Sequence, residues 1–138
     1  MTTTVDDTPG ELLAESLMQA ASSDPVKAAT RLLGAHRDGY WLRRFLRDEQ
    51  ALTTMAGQPV IVRSGTRRSV NWDTVGLLLL PGAPVFRCSG SERAVLEVAA
   101  SLVTRCGVQL GQVISAVDDR ELDLIVQALT ETAHGKQH

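Results

Sequence analysis

The stretch that decides the fold is residues 91–133, SERAVLEVAASLVTRCGVQLGQVISAVDDRELDLIVQALTETA. Its first part is rich in alanine and aliphatic residues at helical spacing, with Ser91 as the predicted N-cap. Gly107 is predicted to end this helix, because glycine readily adopts the backbone conformation that follows a helix. The next segment, Val108–Ile114, predicts a second and shorter helix.

A third helix is predicted from Asp118, with Glu121 at the capping-box position three residues later. A stripe of apolar residues at helical spacing predicts its buried face: Leu122, Ile125, Val126, Leu129 and Ala133. A helix, a short helix, a turn and a longer helix in this order are typical of a helix-turn-helix layout.

The residues upstream of this stretch predict short strands. Val60–Val62 reads as a strand, Ser64–Thr66 as a turn and Ser69–Trp72 as the return strand. The aliphatic run Val75–Leu80 predicts a third strand that is buried on both faces, and Val85–Cys88 predicts a fourth. Small strands before a helix-turn-helix indicate a winged-helix core.

Three helices are predicted before the strands. Thr8 as a cap, with Glu11 three residues later, starts a helix that continues to about Ser22. A second helix is predicted between Ser23 and Gly34, and a third covers residues 40–56 until Gly57 ends it. These helices have too little apolar surface for a core of their own, so we expect them to pack on the second half or on another copy of the chain.

The predicted fold class is therefore α+β: N-terminal helices followed by a small antiparallel sheet and a three-helix winged-helix (helix-turn-helix) core. The predicted division is a helical N-terminal segment at 1–57, a winged-helix-like domain at 58–133 and a frayed tail at 134–138. A chain of 138 residues is long enough to bury such a core.

Composition predicts a soluble cytoplasmic protein. The net charge is −2 and 43% of the residues are hydrophobic, which is ordinary for a globular domain. The polar, acidic start Met1–Asp7 is unlike a signal peptide, and the aliphatic run Leu77–Leu80 is too short to span a bilayer. Cys88 and Cys106 match no metal or redox spacing and are interpreted as reduced, small hydrophobic residues.

No motif in the sequence predicts catalysis, a metal or a cofactor. The glycines are scattered and form no phosphate-binding loop. The acids that begin at Asp118 are interpreted as a helix start with a solvated face, since negative charge is favourable there. Neither cysteine has a histidine and a third orienting group in a recognisable arrangement, and we predict that the chain is not an enzyme.

Charge is unevenly distributed along the chain. Residues 25–72 contain nine bases and three acids, whereas residues 118–131 contain five acids and one base. Because DNA-reading helices usually meet phosphates with lysine and arginine, the acidic helix from Asp118 disfavours nucleic acid as the partner. The predicted binding residues lie upstream: Arg43, Arg44, Arg47, Arg63, Arg67, Arg68 and Trp72. The alternative for the arginines is intramolecular ion pairing or a solvated surface.

Part of the chain resembles the C-terminal region of bacterial JmjC/cupin-type oxygenases. The residues that carry this resemblance, within a stretch from about Arg44 to Ala133, are Leu78–Gly82, Val85–Phe86, the alanine-rich helix, Leu110, Val113 and Asp118–Asp119. In that family a helical dimerisation segment precedes a winged-helix domain. The family's iron site needs an H-x-D motif and a distant histidine, and none of the three histidines here has an acid two residues later. The resemblance therefore implies the non-catalytic part without the jelly roll.

Three small strands followed by three helices are also similar to the precursor-peptide recognition domains of peptide-modifying systems. In those domains a ligand peptide adds a strand to the sheet edge and lies against the third helix. We accordingly predict a non-enzymatic peptide- or protein-binding module that forms a homodimer. Its ligand surface is predicted between the Val75–Leu80 strand and the helix from Asp118. A DNA-binding regulator and a dimerisation scaffold related to the oxygenases remain as alternatives.

Overall fold

A computed structural model describes residues 8–21, 23–80, 87–104 and 107–135 of the chain. The helices of the first half are α1 (Gly10–Ser16), α2 (Asp24–Ala35), α3 (Tyr40–Arg47), α4 (Glu49–Ala56) and α5 (Trp72–Leu78), with a 3₁₀ turn at His36–Asp38. The helices of the second half are α6 (Gly90–Val103), α7 (Leu110–Ala116) and α8 (Asp119–Gly135). The strands β1 (Ile61–Ser64) and β2 (Arg67–Val70) complete a mostly helical α+β fold.

The two strands form the predicted hairpin. They pair antiparallel, with Ile61 opposite Val70 and Ser64 opposite Arg67, so that only two residues form the loop. Gly65, the first of these two, has a φ of 63°, a conformation that glycine adopts without steric cost. The prediction of a strand, a turn and a return strand in this region is confirmed, but the return strand is Arg67–Val70 and not Ser69–Trp72, because Trp72 begins α5.

The prediction of a third strand at Val75–Leu80 is wrong, because these residues belong to α5 and the turn after it. The Asn71 side chain caps α5 by accepting a hydrogen bond from the Thr74 amide at 3.4 Å. The Thr74 hydroxyl donates to the Pro59 carbonyl at 2.6 Å and fixes the helix start to the hairpin. A short aliphatic run fits a buried strand and a buried helix equally well, and here the cap selects the helix.

The fourth predicted strand falls partly on Val85 and Phe86, which lie outside the described residues, while Arg87 and Cys88 have no regular structure. The part of the chain that the structure describes therefore contains one two-stranded sheet. The α+β class is confirmed, whereas a winged-helix arrangement is not.

Three predictions in the N-terminal helices are wrong. Thr8 and Glu11 form no capping box: Pro9 is the N-cap of α1, and the Gly10 amide donates instead to the Asp38 carboxylate at 2.8 Å. The helix predicted over 40–56 is two helices, because the chain departs from helical geometry at Asp48, with φ −102° and ψ 18°. The first helix also ends at Ser16, before the predicted Ser22.

Most of the other predicted helix ends agree more closely with the structure, but the prediction that Gly107 ends α6 is wrong, because that helix ends at Val103. Ser23 caps α2 through the Val26 amide at 3.4 Å, and Gly57 ends α4 with a φ of 78°. Ser89, two residues before the predicted Ser91, caps α6 in a complete capping box with Glu92. This N-cap lies earlier than predicted because Glu92 stands three residues after Ser89.

The predicted capping box of α8 is present. The Glu121 amide donates to the Asp118 carboxylate at 2.7 Å, and the Asp118 amide donates to the Glu121 carboxylate at 3.0 Å. α8 continues through Gly135, beyond the predicted start of the tail at residue 134.

Helix α2 joins the two halves of the molecule, since it packs against α1 on one side and against α6 and α8 on others. The crossing of α1 and α2 is unusually close. A methyl group at Gly10 would lie 2.2 Å from the Gly34 carbonyl oxygen, so that both positions depend on glycine. The core includes the fully buried Trp41, Phe45 and Leu96.

The buried face of α8 differs from the predicted stripe. Ile125 is buried as predicted, together with Glu121 and Ala128, but Leu122, Val126 and Leu129 are 37%, 51% and 46% exposed. Ala133 is exposed as well. α8 is apolar on two faces, and the face that carries Glu121, Ile125 and Ala128 is the buried one.

Candidate functional site

An open cavity of about 280 Å³ lies over one face of the hairpin. Its walls come from the hairpin, the start of α5, the chain between α1 and α2, and the end of α6. The lining residues are Ala20, Ala21, Ser23, Val26, Val62, Ser69, Val70, Asn71, Trp72, Asp73 and Val103. We call this cavity the hairpin groove.

Trp72 is the aromatic side chain of the groove and the first residue of α5. It is 4% exposed, yet its indole Nε1 is buried and has no hydrogen-bond partner in the described structure. A buried N–H without an acceptor costs about 1–3 kcal/mol, and each such group in a folded protein needs an explanation. The indole N–H of Trp72 is thus a donor in need of an acceptor beside an open groove.

The two faces of the hairpin differ in character. Residues alternate between faces along a strand, so Val62 and Ser69, which line the groove, share their face with Arg67. Arg67 is exposed and makes no hydrogen bond or ion pair with any described residue. Of the three predicted hairpin arginines, the one on the groove face is therefore available to a ligand.

Arg63 and Arg68 lie on the opposite face and bind within the chain. Arg63 makes a bidentate ion pair with Glu49 of α4, with one N–O distance of 2.8 Å. The hydrogen bond from Arg63 is the largest of the effects that lower the pKa of the Glu49 carboxyl. Arg68 donates to the Ser16 hydroxyl at the end of α1, at 3.1 Å. These two contacts attach the hairpin to its neighbouring helices.

The predicted binding residues of α3 are also engaged in intramolecular contacts. Arg43 donates from Nε to the Asp38 carbonyl at 2.7 Å and also contacts the Thr8 carbonyl. Arg44 donates to the Arg87 carbonyl at 2.8 Å.

The Arg44 guanidinium also lies 5.4 Å from the Trp41 ring centroid. Arg47 has an ion pair with its neighbour Asp48 at 3.4 Å, and most of its side chain is exposed. None of the three α3 arginines lines the hairpin groove.

The ligand surface predicted from the sequence is thus brought together only in part. Trp72 lines the groove, and Arg67 lies on the hairpin face that borders it. The predicted groove between a Val75–Leu80 strand and the helix from Asp118 does not exist, because α5 replaces that strand.

Sequence reasoning missed a buried hydrogen-bonded pair, His36 and Glu121. The His36 Nε2 lies 2.7 Å from the Glu121 carboxylate, and both side chains are almost completely buried. His36 Nδ1 is buried without a partner. A Glu in a capping box uses one carboxylate oxygen for the cap and leaves the other free. The sequence therefore indicates that Glu121 has a free carboxylate oxygen, but it does not indicate that a histidine 85 residues earlier would bind that oxygen.

The chain around His36 has strained geometry. Arg37 and Asp38 have positive φ values of 48° and 55°, which are rare for residues other than glycine. The Asp38 carboxylate is held by the Gly10 amide at 2.8 Å, and Arg37 is held by Glu92 at 2.6 Å. A cavity of about 270 Å³ adjoins this turn and the start of α8. Such strain persists where surrounding contacts fix it.

A further cavity of about 240 Å³ lies between α1, α2 and α8, and alanines form much of its wall. The Arg31–Glu131 ion pair, 3.4 Å long, connects α2 with α8 at this cavity. No unpartnered buried polar atom lines it within the described chain, so nothing there indicates a polar ligand.

Burial raises the pKa of the Cys88 thiol, which reduces the reactive thiolate at neutral pH. Cys106 lies outside the described residues. In the described ranges no three His, Cys, Asp or Glu side chains are grouped as ligands of a metal ion. No helix there has the length and apolar character needed to cross a membrane.

Comparisons with known proteins found no family model that matches the chain, and no significant match among curated proteins or solved structures.

Proposed function

We propose that the protein is a peptide-binding module that receives an extended peptide segment in the hairpin groove. The observation that carries the proposal is the buried, unpartnered Nε1 of Trp72, a residue that lines that groove. Because this nitrogen is enclosed in the free protein, the Trp72 ring has to shift on binding, so that a main-chain carbonyl of the ligand accepts its hydrogen bond. On binding, the indole N–H gains the acceptor that it lacks in the free protein. Relief of the free-energy cost of that unsatisfied donor then contributes to the affinity for the peptide.

The hairpin supports an extended ligand. Among the described residues β1 pairs only with β2, so its outer edge has no strand partner. The outer edge of β2 is already bridged at Ser69 by Met18. An extended segment can add to a free strand edge through main-chain hydrogen bonds, which give affinity without a demand on sequence. The β1 edge and the groove beside Val62 are contiguous, and both suit one extended peptide.

Charge supports an acidic peptide. The Arg67 side chain is exposed and has no hydrogen bond or ion pair with a described residue, and Arg63, although paired with Glu49, is half exposed. Opposite charge near the rim of a binding site speeds association and selects partners. A carboxylate side chain in the ligand would give Arg67 the ion pair that it lacks within the chain.

The proposed role is recognition without catalysis, and it rests on the hairpin groove alone. We regard α6, α7 and α8, which follow one another in a helix-turn-helix order, as the scaffold of the module. The outer face of α8 carries Asp123 beside Leu122 and Val126. Acidic and apolar side chains there would be unfavourable in a DNA groove, which favours a peptide over a nucleic acid as the ligand.

The test is selection from a displayed library of random linear peptides against the full chain. We expect selected peptides to be acidic. Trp72→Phe, which keeps an aromatic ring and removes the N–H, is expected to weaken their binding by about tenfold. Arg67→Glu is expected to weaken the binding of acidic peptides by a similar factor.

The matched control is Arg47→Glu, an equally exposed arginine of α3 that lies outside the groove. This substitution is expected to change the affinity for the peptide by less than about twofold, because salt screens charges that lie far from the binding site. Equal losses with Arg47→Glu and Arg67→Glu would reject the groove in favour of general charge attraction. Salt-dependent binding to random duplex DNA, with no peptide enriched, would reject the peptide proposal.

A further inference from the structure

The exposed side of α8 is the largest apolar feature that the fold leaves uncovered on one element. Leu122, Val126 and Leu129 are each more than a third exposed, and Ala133 continues their line. The adjacent face, with Glu121, Ile125 and Ala128, is buried where α8 packs on α2 and α6. One face of α8 therefore packs in the core, and a second apolar face is exposed to solvent.

The spacing of this second face is that of a coiled-coil seam. Leu122, Val126, Leu129 and Ala133 are separated by four, three and four residues, which is the alternation of d and a positions in a heptad. The Leu122–Ala133 seam covers three turns of helix, about 16 Å.

We propose that this face binds the same face of a second copy of the chain, with the two α8 helices antiparallel. In that arrangement Leu122 of one copy faces Ala133 of the other, and Val126 faces Leu129. A large side chain thus meets a small one at each end of the seam, which fills the interface evenly. A parallel pair would instead place Ala133 against Ala133 and leave space at that end.

Charge selects the same orientation. The first turn of α8 carries Asp119 at the a position before the seam, and Asp123 beside it. Parallel copies would bring the Asp119 carboxylates together, whereas antiparallel copies place this acidic turn beside the last turn of the partner, where His134 lies. Oppositely directed helices also place the positive N-terminal end of each dipole beside the negative C-terminal end of the other.

The size of the seam sets the expected affinity. Stable interfaces bury about 800 Å² on each partner, and three turns of one helix cover less than that. Leu110 and Ile114 of α7 are also more than half exposed and are available to extend the contact. We expect a dimer with a dissociation constant in the micromolar range.

The first test is sedimentation equilibrium of the full chain at increasing concentration. The wild type is expected to approach twice the chain mass, and Val126→Glu is expected to raise the dissociation constant by about a hundredfold, because the seam would then bury two unpaired charges, each against Leu129 of the other copy. The control is Leu12→Glu, which places the same charge at an equally exposed apolar residue of α1. Circular dichroism checks that both variants are folded.

A wild type that stays monomeric at high micromolar concentration would overturn the proposal. So would a folded Val126→Glu variant that dimerises as well as the Leu12→Glu control. Equal loss of dimerisation in both variants would place the contact elsewhere and likewise overturn it.

The second test fixes the orientation by disulfide cross-linking in a Cys88→Ser/Cys106→Ser background. Leu122→Cys mixed with Ala133→Cys is expected to form a covalent heterodimer on mild oxidation, while each variant alone stays uncoupled. Cross-linking of Ala133→Cys with itself would show a parallel pair and contradict the inference. Because α8 does not line the hairpin groove, loss of dimerisation is expected to leave peptide binding intact, so the two proposals fail separately.

Discussion

The two tryptophans of the chain occupy opposite kinds of environment. The Trp41 ring is completely buried, and its Nε1 donates to the Glu92 carbonyl at 2.8 Å. It meets the Tyr40 ring edge-on, with ring centroids 5.2 Å apart, and the Arg44 guanidinium lies over its face. Trp72 is almost as buried, but its Nε1 has no acceptor and its ring borders an open groove.

The difference separates structure from recognition. Around Trp41 the polar groups are connected: Glu92 binds Arg37, and Arg37 extends toward the buried Glu121. The Trp41 N–H is satisfied within the chain and has nothing to offer a ligand, although His36 Nδ1 in the same network has no partner among the described residues. The Trp72 N–H, and the Arg67 side chain on the hairpin face that borders the groove, have no partner among the described residues, which is the pattern of a surface completed by binding.

The largest expected effect comes from the buried pair that supports the Trp41 region. Glu121→Ala removes the partner of His36 and the capping box of α8, and should destabilise the protein by about 3–5 kcal/mol. The matched control on the same helix is Glu131→Ala, whose partner Arg31 is half exposed and whose loss should cost at most about 1 kcal/mol. Urea denaturation measures both, and equal effects would contradict the structural role of the His36–Glu121 pair.

The direct comparison of the two indoles is the next effect in size. Trp41→Phe leaves the Glu92 carbonyl without its donor, whereas Trp72→Phe removes an N–H that has no acceptor. We expect Trp41→Phe to be about 1–2 kcal/mol more destabilising than Trp72→Phe, since both lose the same ring volume. A larger loss at Trp72 in the same denaturation experiment would mean that its N–H is bonded in the free protein.

The smallest effect concerns the attachment of the hairpin by Glu49 and Arg63. The pKa of Glu49 is lowered in the folded state, so the pair stabilises the protein above the carboxyl's ordinary pKa, and this contribution is lost as pH falls through the lowered value. Because Arg63 is half exposed, we expect at most about 1 kcal/mol. Denaturation of the wild type and of Glu49→Gln from neutral to acid pH measures this contribution. If the difference in free energy of unfolding between the two proteins does not change with pH, the coupling is contradicted.

Local signals predicted much of the secondary structure. The caps at Ser23 and at Asp118, and the glycines at 57 and 65, each act within a few residues, so the sequence reports them directly. Val75–Leu80 was predicted wrongly because aliphatic composition does not distinguish a buried strand from a buried helix. Asn71, which decides the matter, lies before the run.

The long-range contacts could not be predicted from the sequence. α8 has apolar residues on two sides, and only its packing on α2 determines that Ile125 faces inward while Val126 faces outward. In the candidate site, Trp72 and the hairpin arginines were predicted as binding residues, but their partners were not. Whether an arginine meets Glu49 or solvent depends on which hairpin face it occupies, and that follows from register.

The most direct test of the central claim is a ¹H–¹⁵N correlation spectrum of the two indole N–H groups, recorded with and without a peptide selected on the full chain. The account predicts that the Trp72 indole signal moves downfield and that its exchange with solvent slows when peptide binds, while the Trp41 signal keeps its position. Assignment comes from Trp72→Phe. Saturation of the protein with a bound peptide while the Trp72 signal stays unchanged would contradict the proposed role of this N–H.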